Sequence, residues 1–225
     1  MIVVGDVHGR TRELVQLISR HDIKNEIFIQ CGDFGIGFLG FQELLDLNYS
    51  LKYGNNKLYI LRGNHDNPDI FLNKSKYSNI RFVKDYSILN IQNKKILLIG
   101  GGVSIDRIER RKNISWWENE EIIVDEKKLK SLSKKNFDIL ITHVPSRSIF
   151  YDVNDSLLQY WIKKDNTLIE LIKKENESLD IIRSKINFKT WIAGHYHMTK
   201  KIFQEDKNYI ILNELEFYEI KCSII

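Results

Sequence analysis

Short apolar runs recur along the chain with polar or helix-like material between them: "IVV" from residue 2, then "IFIQC", "LYIL", "IRFV", "ILLIG", "DILIT", "WIAG" and the late pair "YIILN" and "FYEIK". Runs this short match strands rather than long helices. Between the early ones, "RELVQLISRH" (Arg12–His21) and "FQELLDLNYSLKY" (Phe41–Tyr53) carry apolar residues at three- and four-residue spacing, as helices docked on a sheet do. The pattern predicts a βαβαβ start. The segment from Asp155 to Ile186 alternates Leu and Ile with Lys and Glu at helical spacing, and the last 25 residues read as antiparallel strands. The expected fold class is therefore α/β. With two prolines and no Gly/Ser-rich linker, nothing marks a boundary, so one domain over residues 1–225 is expected.

The residues at the end of each run matter more than the runs. Five of the six histidines fall directly after a run or close to a glycine or proline: His8 in "GDVHG", His65 in "GNHD", His143 in "THVP", His195 and His197 in "GHYH". Only His21, at a helix end, stands apart. In open α/β sheets the carboxyl ends of the strands face the ligand crevice, so side chains placed there converge even when distant in sequence. Asp6 and His8, two residues apart, point the same way on extended backbone. Asp33 follows the second strand and Asn64 the third. Carboxylate, amide oxygen and imidazole together suit Mn first, with Fe, Zn, Co or Ni as alternatives, over Ca or Mg. Seven ligands (Asp6, His8, Asp33, Asn64, His143, His195, His197) are too many for one ion and predict two divalent metal ions sharing a carboxylate.

In that order, "GDVHG", "GDFG", "GNHD", "THVP" and "GHYH" resemble the five-block signature of the calcineurin-like metallophosphoesterases, and the blocks run from Gly5 to His197. The resemblance implies a four-layer α/β/β/α sandwich with two sheets face to face. It implies one metal on Asp6, His8, Asp33 and His197, and another on Asp33, Asn64, His143 and His195. It further implies a phosphoesterase whose nucleophile is a hydroxide bridging the two ions. His65 would protonate the leaving alkoxide, with Asp66 orienting the imidazole and raising its pKa. A histidine beside a carboxylate is on general grounds a natural acid near neutral pH.

Other readings compete. Asp66 is equally placed to cap the segment Asn67–Leu72, and Arg62 reads as readily as a salt-bridged residue as a phosphate contact. "GIGFLG", Gly35 to Gly40, matches a dinucleotide fingerprint, but Arg62 and Asn64 stand where its acidic partner belongs. The glycines are expected to relieve crowding beside the metals. In "GGGVSIDRIERRKNISWWENEE", Arg107 and Arg110 are candidates to grip a substrate, while Arg111 and Trp116 read as a solvated loop and packing. Protein Ser/Thr phosphatases resemble the chain at "GDVHG" and "RGNH" yet carry an arginine-bearing block where "GDFGIGF" stands. The expected substrate is a phosphomonoester or phosphodiester, a nucleotide among the candidates; nucleic acid is permitted but not indicated by a charge of +4. A protein phosphatase, a nuclease and a metal-binding scaffold with little turnover are the alternatives. The segments 104–133 and 150–186 are expected to line or cap the cleft. Cys31 and Cys222, widely spaced, exclude a thiolate metal cage; with no apolar stretch of membrane-spanning length and a strand starting at residue 2, they predict a cytoplasmic protein with no membrane partner.

Overall fold

Alternate residues of a strand point to opposite faces, and the first strand, β1 (Ile2–Val4), buries both. Val3 packs with Ile29, Leu98, Ile141 and Ile192, drawn from two sheets, whereas Val4 packs with Leu14, Leu47 and Leu51 beneath helices. The computed structural model describes residues 1–150 and 156–221. Cys222 and the start of the expected helical stretch, residues 151–155, lie outside the described residues.

In the first sheet β1 lies beside β2 (Ile27–Gln30), β3 (Lys57–Ile60) and β4 (Ile80–Phe82), all parallel. Two helices, α1 (Thr11–Arg20) and α2 (Phe41–Tyr53), cover its outer face. The second sheet holds β5 (Ser87–Ile91), β6 (Lys94–Ile99), β7 (Asn136–Thr142), β8 (Asn187–Ala193), β9 (Lys200–Gln204) and β10 (Lys207–Ile211), in the order β5-β6-β7-β8-β10-β9. Its outer face packs on α3 (Glu126–Leu132) and on α5 (Leu168–Lys185). A further helix, α4 (Ser156–Lys164), joins α5 in a small separate apolar cluster with Val103. The layers run helix, sheet, sheet, helix, as the resemblance implied.

The last residues do form antiparallel strands, β10 pairing with β9, but the two late apolar runs do not pair with each other. β10 stays in the second sheet, parallel to β8, while β11 (Phe217–Glu219) crosses to the first and pairs antiparallel with β1. Each run instead joins the sheet whose core its apolar residues fill: Tyr209 and Ile211 pack under the helices of the second, Phe217 under those of the first. The crossing brings the turn Leu212–Glu216 across the strand ends, where Leu215 N–H donates to the Asp6 carbonyl at 2.9 Å.

Candidate metal centre

All the expected ligands lie where parallel strands end. Asp6 and His8 follow β1, Asp33 follows β2, Asn64 follows β3, His143 follows β7, and His195 and His197 follow β8. The structure brings them together in overlapping groups: Asp6 with His8 and His197, His8 with Asp33 and His65, and Asp33 with His143 and His195, each with ligand atoms within 4.8 Å of one another. His8 is shared by the first two groups and Asp33 by the last two. Asn64 joins through its Oδ1, 2.9 Å from His143 Nε2.

The backbone is bent to achieve this. His8, Asp33, His195 and His197 all have positive φ, at 47°, 56°, 69° and 46°. Such conformations cost on the order of 1–3 kcal/mol each in non-glycine residues and persist only where the surroundings fix them. Here the surroundings are identifiable. Val7 and His8 N–H both donate to the Asp33 carbonyl, His65 N–H to Asp33 Oδ1 at 2.7 Å, and His195 N–H to Asp6. Two motif glycines are required by close approach. A Cβ on Gly63 would overlap the carboxylate and backbone N of Asp33, and one on Gly194 would overlap the Asp6 carboxylate. Gly63→Ala is accordingly expected to push Asp33 off its position and weaken divalent-cation binding by about 10–100-fold, the usual penalty for disturbing a ligand's supports. A calorimetric titration with a divalent cation reads it; an unchanged midpoint would contradict this packing.

The donor chemistry fits divalent cations. His8 Nε2 and His197 Nε2 face each other at 2.9 Å, and His197 Nε2 lies 3.2 Å from Asp6. Without metal, an N–H on one ring can donate to the lone pair of the other; a cation seated between them would take both lone pairs. His143 Nδ1 donates to the Cys31 carbonyl at 3.1 Å, which turns Nε2 towards Asp33 Oδ1 at 3.3 Å and Asn64. Ligating histidines are commonly oriented in this way. Burial would lower the His143 pKa, but Asp33, then Asp6 and the Cys31 carbonyl, lift it to about 9. A fully buried imidazole that holds a proton this tightly reports strong negative potential. Asp33, which burial alone would raise, is held well below the usual carboxylate range by His143, His65 and His8. His195 is driven far down by burial and by His143, so it is a neutral donor.

A supporting shell escaped the sequence reading. Asn64 Nδ2 donates to Ser104 Oγ at 3.2 Å, and Ser104 Oγ and N–H donate to the buried Glu120 at 2.9 and 2.6 Å. That chain fixes which end of the amide faces His143. Glu214, after β10, lies 3.6 Å from His197 Nδ1 and 3.0 Å from Arg10. Its position at a strand end was the one available signal.

The remaining predicted residues separate. Arg110 reaches the site: its guanidinium nitrogens lie 3.0 and 2.8 Å from the two ring nitrogens of His65. Arg107 does not, being bound to Asp165 and Thr167. Arg62 is the salt-bridged residue rather than the phosphate contact, though buried. It is 4% exposed, with its guanidinium on Asp85 and on the carbonyls of Glu120 and Glu121. Trp117 is buried with its ring 5.4 Å from Phe38.

Asp66 corrects a more specific expectation. No hydrogen bond joins it to the His65 ring among the described residues. Its two oxygens accept the N–H groups of Phe34, Gly35, Ile36 and Gly63 at 3.2, 2.8, 2.7 and 2.8 Å. The cap on the segment after it is Asn67, which accepts from Asp69 N–H. The His65 pKa is lowered rather than raised: burial depresses it, Asp33 opposes that, and Arg110 and His8 add to it. The glycine-rich loop after β2 is accounted for as well. Its amides, the groups that could cradle a dinucleotide phosphate, are filled by the protein's own carboxylate, and Gly35 packs against the backbone of Gly9.

Known proteins place the fold and the family. No curated protein matches the sequence. The crystal structure of TT1561 of Thermus thermophilus is similar with a TM-score of 0.51 at 13% identity, covering 95% of this chain and 89% of that one. The phosphopantetheinyl hydrolase of Mycobacterium tuberculosis is similar with a TM-score of 0.50 at 12% identity, covering 94% and 89%. At such identities the likeness speaks for the fold alone. The description "calcineurin-like phosphoesterase" comes from a family model that matches residues 1–199, so the chain belongs to that family, whose members hydrolyse phosphate ester bonds.

Proposed function

We propose that the protein is a binuclear metallophosphoesterase acting on a phosphomonoester or phosphodiester, with His65 as the proton donor to the leaving oxygen. The observation that supports this reading is the chain of overlapping ligand groups, in which His8 links Asp6 and His197 to Asp33 and Asp33 links His8 to His143 and His195, with His65 and Arg110 beside it. Asp6, His8, Asp33 and His197 would hold one ion, and Asp33, Asn64, His143 and His195 the other. Two bound cations, with Mn favoured by the donor set, supply Lewis-acid polarisation of a phosphoryl oxygen and bring the pKa of water from about 15.7 towards about 7.

The chain's own groups do the rest. Arg110, held by Asp106 at 2.6 Å, presents N–H groups to an anionic oxygen entering beside His65. In the free protein the guanidinium favours a neutral His65. A phosphate anion placed against the same face reverses that bias and raises the imidazole pKa, so His65 takes up its proton as substrate binds. It then lies beside the ester oxygen that must leave. The pairing of His65 with Asp66 does not speak against a scaffold, because that pairing does not occur. Arg110 does so instead, since a protein that only bound metal would not need a guanidinium at this position.

The direct test is hydrolysis of p-nitrophenyl phosphate and bis-(p-nitrophenyl) phosphate by the Mn²⁺-loaded protein, with a chelator as control. Turnover of either is expected, and the preferred ester sets the class. A folded, metal-loaded sample inert to both would favour the scaffold.

Metal loading has its own signature. Because His143 is protonated below about 9 without metal, and a ligating imidazole must be neutral, loading between pH 7 and 8 is expected to expel about one proton from it. Calorimetry in buffers of differing ionisation enthalpy counts that proton. As the pH rises above about 9 the release should fall away.

A further inference from the structure

The metal ligands open onto a cavity of about 290 Å³ whose wall includes Asp33, Asn64, His65, His195 and His197. Its opposite wall is apolar: Val103 and Ile105 from the loop after β6, Leu157, Leu158 and Trp161 from α4, and Ile172 from α5. Val103, Leu158 and Ile172 are 2%, 7% and 8% exposed and belong to one packed cluster with Leu168, so this wall is preformed. We infer that this cavity holds an apolar organic group of the substrate, so that the natural ester is a phosphate carrying an alkyl-like or aryl-like alcohol rather than a polyphosphate or a nucleic acid.

Charge supports the choice. The wall's two cations are already engaged, Arg110 with Asp106 and Arg147 over the Tyr196 ring at 5.6 Å. The same lining carries two carboxyls, Asp106, which engages Arg110, and Glu175. A site for a polyanion needs a surplus of cations beyond the metals, and this wall is balanced. Glu175 sits 5% exposed with one oxygen accepting Val103 N–H at 2.7 Å, and burial pushes its pKa up to about 7, as befits a carboxyl facing a water-poor space. Continuity with the ligand set says which end goes where. A phosphate on the metals beside His65 leaves its ester group facing Ile105 and Trp161.

The inference rests on the phosphoesterase reading for the anionic end of the ligand, but its test does not need turnover. Binding of n-alkylphosphonates, from ethyl to octyl, to the Mn²⁺-loaded full chain is measured by calorimetry. Kd is expected to fall by up to about fourfold for each methylene that enters the cavity, the gain for burying a CH₂, and then to level off when the space is full. A polyether phosphonate as long as the hexyl compound is expected to bind no better than ethylphosphonate. Leu157→Gln, at a position 61% exposed, and Trp161→Ala should each flatten the chain-length trend. A Kd constant from ethyl to octyl, or no phosphonate binding at all, overturns the proposal. Failure of both nitrophenyl esters to react, with the chain-length trend intact, would overturn the catalytic reading and leave the apolar pocket standing.

Discussion

His65→Ala is expected to lower kcat by about 10² to 10⁴ for alkyl phosphate esters, the usual contribution of a general acid, and by about tenfold or less for p-nitrophenyl esters. The difference arises in the leaving group. An alkoxide is too basic to depart without a proton, whereas p-nitrophenolate departs readily as the anion. His65 is partly exposed on the cleft side, with its ring 5.0 Å from that of His8 and its backbone N–H on Asp33, so removing the ring leaves the backbone contact intact. Metal content should therefore be retained, which elemental analysis verifies. Arg110→Ala supplies the contrast. Loss of an anion contact weakens substrate binding and orientation for both ester types, so KM rises without regard to the leaving group. Equal losses for alkyl and nitrophenyl esters in His65→Ala would remove His65 from proton transfer and leave it as a positioning group.

The ligand positions were legible because the topology does the converging. Residues just past parallel strands can point into one crevice, and "GDVHG", "GDFG", "GNHD", "THVP" and "GHYH" together place seven candidate ligands there. Even the glycines carried information, since Gly63 and Gly194 are spaces that Asp33 and Asp6 fill. What stayed hidden depends on contacts between distant segments. Nothing in "RGNHD" says that the aspartate faces residues 34–36 rather than its neighbouring histidine, because those residues are 30 to 32 positions away and only the fold brings them to Asp66. Likewise Arg62, Arg107 and Arg110 look equivalent in sequence, yet Asp85 and Asp165 draw the first two away, whereas Asp106, the acid that holds Arg110, lines the cleft itself. Strands β5 and β9 were missed for a simpler reason. "SILNI" and "KKIFQ" lie at or next to the edge of the second sheet, where one face meets water and the apolar run is broken.

Asp66→Ala carries the largest expected loss of stability. Its carboxylate is fully buried and gathers four backbone N–H groups from the turns after β2 and β3, the turns that present Asp33 and Asn64. Without it, those donors have no acceptor and no access to water, at about 1–3 kcal/mol each. Part of this is offset, because burial and the nearby Asp33 push the Asp66 pKa up to about 6, so the ionised form is itself costly. Roughly 3–5 kcal/mol should remain, a large share of the 5–15 kcal/mol typical of a whole domain. Urea denaturation of the metal-free protein measures it. Asp66→Asn, which keeps one acceptor oxygen, should fall between the two. The asparagine variant also separates this role from the one its sequence position suggests. An Asp66 that worked through the imidazole would, as asparagine, reproduce the selective loss on alkyl esters seen for His65→Ala at normal stability. An Asp66 that holds the two turns together should instead lower stability and metal affinity, and reduce turnover of alkyl and nitrophenyl esters alike.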